Sequence, residues 1–516
     1  MAHRLEDNGM DKGEGRAVEL KLTRETLRFE RFVGRSEEQV TIEGEATLPG
    51  SMRDAVTVLS VQAQAHLTGA QAGRGEAGVR GRVCFQVLYT QGDLTRVRAL
   101  ETSCDFMHTL PMADLSTGMR LVPAVYVQET EGSAGTGRMT LRALLLVTLE
   151  AFETAERELI TDAQDGEAGN LLARRQTATS CMNETAGENK TLVREEFDLP
   201  AKLGVGDVLS ATAAAGGCEL SGGNGRVGVS GRIEVRVLHR SKEAGNALVT
   251  TVHEMPFEMS IDAQMNDGAQ MQAVAEVTDV MADSIENEKS RTLRLEAEVR
   301  VRLVCCMQEN IELLSDLYSL TGPVLEPVTE TIDLHTCETH MDARESLRLQ
   351  VTLPPDAPPI GTVLSAFAQP AVTAASPAGR RLDAEGIMQV TLIYLPLDSD
   401  IPYAVHTREP FSMTFPVEAQ EGVSAQAYPI ETMTGPATSD RAELRCVLGL
   451  HAVQHGVQRV QAVTDVVQKP EQKTEHGFVL VWPVEGESRW DTARRLRVRE
   501  ESLRPAGKNA LLAFRR

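Results

Sequence analysis

Apolar residues recur at every second position through most of the chain. In Val83-Cys84-Phe85-Gln86-Val87-Leu88-Tyr89, Val83, Phe85, Val87 and Tyr89 share one face of an extended strand. Ile233-Glu234-Val235-Arg236-Val237 alternates apolar with charged residues, and Leu293 to Val301 alternates over nine residues. Further strands are predicted at Leu141–Leu149, Leu293–Val304 and Leu444–His451. Between them stand turn-forming clusters such as Gly222-Gly223-Asn224-Gly225 and Gly132-Ser133-Ala134-Gly135. Short strands and turns without intervening amphipathic helices predict antiparallel β-sandwich modules. Residues 163–178 and 319–331 read as linkers or crossovers, the second punctuated by Gly322, Pro323 and Pro327.

The pattern repeats about every 150 residues. Val-Leu-Ser occurs at Val58-Leu59-Ser60, Val208-Leu209-Ser210 and Val363-Leu364-Ser365. A glycine follows each serine by 21 residues, at Gly81, Gly231 and Gly386, and each opens an alternating run. Leu-Pro lies eight or nine residues before the valine of each Val-Leu-Ser, at Leu48-Pro49, Leu199-Pro200 and Leu353-Pro354. A hydroxyl-Asp pair closes each, at Thr161-Asp162, Ser315-Asp316 and Thr464-Asp465. Four markers in constant order, three times over, predict three tandem copies of one fold. Val83–Tyr89, Ile233–His239 and Met388–Tyr394 should then occupy equivalent central strands. The boundaries implied are residues 27–162, 178–318 and 332–468.

The last residues, 478–516, differ in kind. A strand-like start from Phe478 turns at Glu485-Gly486-Glu487 and becomes helical, with Trp490, Ala493, Leu496 and Leu503 spaced to share faces. Ala510 to Phe514 reads as a final strand. The segment carries nine Lys/Arg against five Asp/Glu, whereas the whole chain is acidic at net −22 and pI ≈ 5.1.

Composition narrows the possible functions. With 42% hydrophobic and 24% charged residues, 516 residues can bury several cores. The negative charge opposes nucleic acid and anionic membrane surfaces as partners. No apolar run reaches 18 residues, so no membrane span is expected, and the polar N-terminus shows no secretory h-region. Eight scattered cysteines without CxxC spacing predict free thiols in a reducing cytosol.

Candidate chemistry is sparse. Gly223-Asn224-Gly225-Arg226-Val227-Gly228 fits GxGxxG, but a strand rather than a helix follows it, so a hairpin turn is expected. His335, Cys337 and His340 form H-x-C-x-x-H, with Glu338 or Asp342 as a fourth zinc ligand or, alternatively, as part of a polar strand edge. The other two repeats lack a counterpart, and no metal or cofactor is expected. Cys305-Cys306 read as small buried residues on a strand. No nucleophile–base constellation stands out, which predicts a non-enzymatic protein.

The tail resembles a LysM module, a β-α-α-β unit known for binding N-acetylglucosamine-rich glycans. The resemblance rests on Val484, Gly486, Trp490, Ala493, Leu496 and Val498, with Leu503 on a second helix; Arg489 and Thr492 depart from the usual pattern. The repeats resemble SPOCS domains, β-rich modules of sporulation and spore-coat proteins in clostridia and their relatives. The carrying features are the glycine-led strand, a Glu-x-Pro-Phe-type element and the closing Thr-Asp. Met255-Pro256-Phe257 and Glu409-Pro410-Phe411 show the second; the first repeat has only Cys104-Asp105-Phe106. Three SPOCS-like repeats followed by LysM resemble the clostridial-type spore-coat morphogenetic proteins.

That resemblance implies a scaffold in the mother-cell cytoplasm at the forespore surface, its LysM docking onto a coat-basement ATPase. Self-association through the repeats is a further expectation, and a glycan of peptidoglycan or cortex is the alternative partner. On the tail, Arg494, Arg495, Arg497 and Arg499, with Val498, are the candidate partner-binding residues. Trp490 is expected chiefly in the module's core, with a place on a binding face as the alternative.

Overall fold

The computed structural model describes residues 20–48, 56–91, 96–135, 137–165, 170–199, 205–223, 225–241, 247–263, 269–286, 291–419, 422–470, 477–507 and 510–515. The first repeat holds β1 (Lys21–Thr47), β2 (Val56–Ala72), β3 (Glu76–Gln91), β4 (Arg98–Pro111), β5 (Arg120–Ala134) and β6 (Arg138–Gln164). They form two antiparallel sheets, β1-β6-β5 and β2-β3-β4. Between the sheets lies a core built from alternate residues, including Val83, Phe85, Val87, Leu141, Leu145 and Leu149. Each such side chain, once buried, contributes roughly 1.5–3 kcal/mol relative to exposure.

The second repeat copies this with β7 (Leu171–Asp198), β8 (Val205–Ala215), β9 (Glu219–Gly223), β10 (Arg226–Ser241), β11 (Leu248–Ile261), β12 (Gln270–Glu286) and β13 (Arg291–Ser319). Its sheets are β12-β13-β7 and β11-β10-β8, with β9 added to β10 as a hairpin. The GxGxxG run is that hairpin: Gly223 pairs with Arg226, and Asn224 lies outside the described residues.

In the third repeat the long strands are each broken in two. β14 (Val324–His335) and β15 (Thr339–Thr352) pair with β21 (Val457–Lys469) and β20 (Arg441–Gln454). β16 (Ile360–Ala378), β17 (Arg381–Pro396), β18 (Tyr403–Phe415) and β19 (Ser424–Ala437) complete the sandwich. The central strands β3, β10 and β17 contain the three glycine-led runs, at equivalent positions as expected.

Three of the four markers have a structural cause; Pro49 and Pro200 of the Leu-Pro marker lie outside the described residues. The leucine of Val-Leu-Ser is an unpaired β-bulge residue: Val58 pairs with Tyr89 and Ser60 with Leu88, skipping Leu59. The same skip occurs at Leu209 and Leu364. These leucines meet, together with Leu88, Leu238, Ile393 and Phe367, in one apolar cluster shared by all three repeats. Gly81, Gly231 and Gly386 each sit directly opposite Phe106, Phe257 and Phe411. A Cβ on Gly81 would lie 2.5 Å from the Phe106 ring, and on Gly231 2.6 Å from Phe257. The glycine lets the opposing ring lie flat across the strand, a pairing in which an aromatic covers a glycine's bare backbone. Asp105-Phe106 thus does in the first repeat what Pro-Phe does in the other two.

The hydroxyl-Asp marker is a second bulge. Thr161, Ser315 and Thr464 are each skipped in the pairing of the long strands. Each hydroxyl donates to a carbonyl of the opposite strand, at Thr23, Arg174 and Val328, over 3.5, 3.2 and 3.2 Å.

Residues 171–178 and 324–331, read as linkers from the sequence, are strand: they begin β7 and β14. Beyond their sandwiches the ribbons β1·β6, β7·β13 and β14·β21 pack together and bury Leu27, Phe29, Leu159, Leu313, Ile332, Leu334 and Val460. A second layer holds Ile160, Leu314, Leu317, Leu325 and Val463. The three repeats therefore close around a pseudo-threefold axis. Gln86 donates to the Ala211 carbonyl of repeat two (2.6 Å), Glu234 pairs with Arg344 of repeat three (2.7 Å), and Gln389 donates to Thr130 of repeat one (3.1 Å). Repeat one meets two, two meets three, and three meets one.

Candidate functional site

The tail packs on the second repeat. It comprises β22 (Gly477–Val481), helix α1 (Arg489–Leu496), a 3₁₀ turn at Glu500–Ser502, β23 (Arg504–Gly507) and β24 (Ala510–Arg515), with sheet order β22-β24-β23. The LysM resemblance implies two helices; one helix and the short turn stand there instead, and β23 adds a strand. Pro505 and Gly507 so soon after Leu503 leave no room for a second amphipathic helix.

Helix α1 starts at a capping box, the Ser488 side chain accepting from the Asp491 N–H and Asp491 accepting from Ser488 N–H. It stops at Arg497, whose φ of 54° is left-handed. Its buried face, Ala493 and Leu496, joins Val498, Leu503 and Ala513 around Tyr318 of β13. The tail's core is thus completed by a side chain from repeat two.

The expected core residues divide. Ala493, Leu496 and Leu503 are buried as foreseen. Trp490 is half-buried: its ring meets Tyr318 edge-on with centroids 5.0 Å apart, and its indole N–H donates to Asp316 (2.7 Å). Gly486 supplies a left-handed turn at φ 84°. Val484, expected in the core, is 70% exposed because it lies in the turn before the helix, beyond the end of the sheet.

The candidate partner-binding residues are engaged within the chain. Arg494 Nη1 lies 2.7 Å from both carboxylate oxygens of Asp316. Arg495 pairs with Glu487 at 2.9 and 3.1 Å. Arg497 donates to the Ser319 carbonyl and hydroxyl and to the Gly322 carbonyl, all within 2.9 Å. Val498 is buried, and its carbonyl accepts from the Tyr318 hydroxyl (2.8 Å). Burial raises the Tyr318 pKa to about 12, so that hydroxyl keeps its proton at neutral pH. Arg499 stands exposed at the start of the 3₁₀ turn.

Asp316 is the aspartate of the second hydroxyl-Asp bulge. At the equivalent bulges Asp162 takes Arg175 of repeat two, and Asp465 takes Arg24 of repeat one (3.1 Å). Arg24 and Arg175 also donate to the bulge carbonyls of Thr464 and Thr161, at 3.0 and 3.1 Å. By strand register the third member of this arginine set is Thr329, which cannot play the part. Arg494 of the tail supplies the missing guanidinium.

With that face turned inward, the other face of the tail's sheet points out. Phe478, Leu480 and Trp482 alternate with the inward Val479 and Val481, and Phe514 lies opposite Phe478 with ring centroids 5.0 Å apart. Phe478 and Trp482 are 76% and 61% exposed, and Phe514 is 48% exposed. The only sign of this face in the sequence is Phe-x-Leu-x-Trp at residues 478–482, which has the period of a strand.

A second concentration of polar groups lies where the three ribbons enter their sandwiches. Arg120 forks onto buried Glu30 at 2.7 and 3.1 Å and reaches buried Glu338 at 3.2 Å. Asn183 donates to Glu30 (2.8 Å) and accepts from the Glu338 N–H (3.1 Å). His340 pairs with Glu338 at 2.7 Å. All three repeats contribute. Burial opposes the charge on Glu338, but the bond to His340 and the electrostatic pull of the neighbouring His340, His455 and Arg120 side chains outweigh it and hold its pKa at about 2.

The H-x-C-x-x-H residues are dispersed here. His335 packs against Phe32 and Phe152, burial lowering its pKa. His340 belongs to the Glu338 pair. Cys337 forms a disulfide with Cys306, contrary to the expectation of free thiols throughout. The pair lies 31 residues apart and joins repeat two to repeat three, a proximity set by the ring closure and invisible in local spacing. Cys305, next to it, is a buried free thiol as expected.

Among the described residues no helix is long and apolar enough to cross a membrane. No protein-family model, curated protein or solved structure matches the chain.

Proposed function

We propose that this protein is a non-enzymatic assembly scaffold of the spore coat, acting in the mother-cell cytoplasm at the forespore surface. Three SPOCS-like sandwiches form its body, and the LysM-like tail docks onto a coat morphogenetic ATPase. The observation that carries this reading is the aromatic outer face of the tail, Phe478, Leu480, Trp482 and Phe514, held at a fixed place on the ring by Asp316 and Tyr318. Large exposed apolar patches on a folded protein mark contact surfaces. The arginines proposed from the sequence then orient the tail, and the aromatic face makes the contact.

The alternative is a glycan-binding protein that holds peptidoglycan or cortex polymers of N-acetylglucosamine. Exposed rings such as Trp482 and Phe478 favour it, because sugar rings stack on aromatic faces. A two-armed capture separates the readings. The full-length chain is offered to the purified coat-basement ATPase and to insoluble peptidoglycan. Retention by the ATPase supports the scaffold; retention by peptidoglycan alone overturns it.

A further inference from the structure

Three cysteines unrelated in sequence spacing converge at the junction of the second and third repeats. Cys181 on β7, Cys306 on β13 and Cys337 between β14 and β15 have their sulfur atoms all within 4.8 Å of one another. They are 1%, 3% and 7% exposed and form their own buried cluster. Cys306 and Cys337 are joined as a disulfide, and Cys181 is free. One N–H group is directed at the sulfurs: the Gln308 side-chain amide donates to Cys337 Sγ (3.1 Å).

We propose that, once the Cys306–Cys337 disulfide is reduced, Cys181, Cys306 and Cys337 form a buried three-sulfur site for a soft monovalent cation, Cu(I). The donor set decides the class of metal. Thiolate sulfur selects Cu(I) over the hard oxygen-seeking cations. A closed zinc site takes four donors, and this group supplies three. Hydrogen bonds to coordinating sulfur stabilise the thiolate form, which is the role the Gln308 amide takes up at Cys337.

The chemistry balances in two steps. A dithiol reductant gives two electrons and two protons to the disulfide, leaving Cys306 and Cys337 as thiols and itself becoming a disulfide. Cu(I) then binds with release of the thiol protons, and no electron moves in that step. Repeats two and three are thereby cross-linked at one place in either state, covalently when oxidised and through the metal when reduced.

The test uses the full-length chain with Cu(I) delivered anaerobically from its bicinchoninate complex. Thiol titration in denaturant first establishes the state, six free thiols when the disulfide is present and eight when it is reduced. The reduced protein should withdraw one equivalent of Cu(I), and the oxidised protein should not. C181A and C306A should each weaken uptake at least tenfold, whereas C446A, altering a buried thiol in the third sandwich core, should leave it unchanged. Far-UV circular dichroism checks that each variant retains its β signal. C181A is the decisive variant should C306A fail to fold, since it leaves the disulfide pair intact. Uptake by the reduced wild type no greater than by C181A, or equal loss in C446A, would overturn the proposal.

Discussion

Arg494 holds the Asp316 carboxylate with one Nη1 equidistant, at 2.7 Å, from its two oxygens. The contact reproduces the Arg175–Asp162 and Arg24–Asp465 pairs that bind the repeats to one another. The tail is thus anchored by the same interaction that closes the ring, at the position where the third repeat carries Thr329.

Thr329→Arg should restore the third arginine of the set and compete with Arg494 for Asp316. Hydrogen exchange in residues 489–503 should accelerate in this variant while the sandwiches stay protected. Arg494→Glu should have the same effect by repulsion. Asp316→Ala should be more severe, because it strips the partners from Trp490 and Arg494 together, an effect of about 1–3 kcal/mol on tail docking.

The leucines of the Val-Leu-Ser bulges should tie the repeats into one cooperative unit. Leu59→Ala empties a fully buried site in the cluster shared by all three repeats. It should cost ~2–5 kcal/mol. Calorimetry should still show a single transition, at lower temperature, because the cavity opens between repeats and not within one sandwich. Separate transitions would mean that the repeats unfold independently.

Glycine substitutions should rank by what their new Cβ meets. At Gly386 it strikes the Ala371 backbone carbonyl as well as the Phe411 ring, at Gly81 the Phe106 ring and the His66 carbonyl, and at Gly231 chiefly the Phe257 ring. A ring can swing aside where backbone cannot. Gly386→Ala should therefore destabilise most and Gly231→Ala least, with losses on the order of 1–3 kcal/mol, read from urea midpoints.

Acid should loosen the junction of the repeats. The folded pKa of Glu338, about 2, lies below its ordinary 4.5. The unfolded chain therefore takes up this proton first as pH falls. The stabilisation is complete above 4.5 and lost as pH drops toward 2. The shift corresponds to on the order of 3 kcal/mol just above that window. Urea unfolding of Glu338→Gln should show a weaker pH dependence across that window than the wild type.

Much of this architecture is legible in the chain. The period of two predicts the strands, and the repeated markers predict three copies, because three of those markers are local backbone devices that must recur wherever the fold recurs. Val-Leu-Ser and Thr-Asp announce bulges, and the glycines announce an aromatic across the strand. What the sequence hides is the relation between copies. Ring closure brings Cys181, Cys306 and Cys337 together from separations that have no motif, and it turns the start of β7 and β14 from apparent linkers into packed ribbon. The tail shows the same limit: by spacing alone its row of arginines reads as a free surface, and only the fold sets Asp316 against Arg494 and Ser319 against Arg497.

In the proposed scaffold, the outward aromatic face of the tail makes the docking contact. The most direct measurement is the affinity of the full-length chain for the coat-basement ATPase, compared with Trp482→Ala and Phe478→Ser. Both residues are highly exposed, so both variants should fold and keep the Trp490–Asp316 contact. Truncating an aromatic anchor typically costs at least ~2 kcal/mol of binding, about thirtyfold in Kd. Loss of that size in both variants is the predicted result. Wild-type affinity in both, or an ATPase that does not bind the intact chain, would mean that this face is not the docking surface.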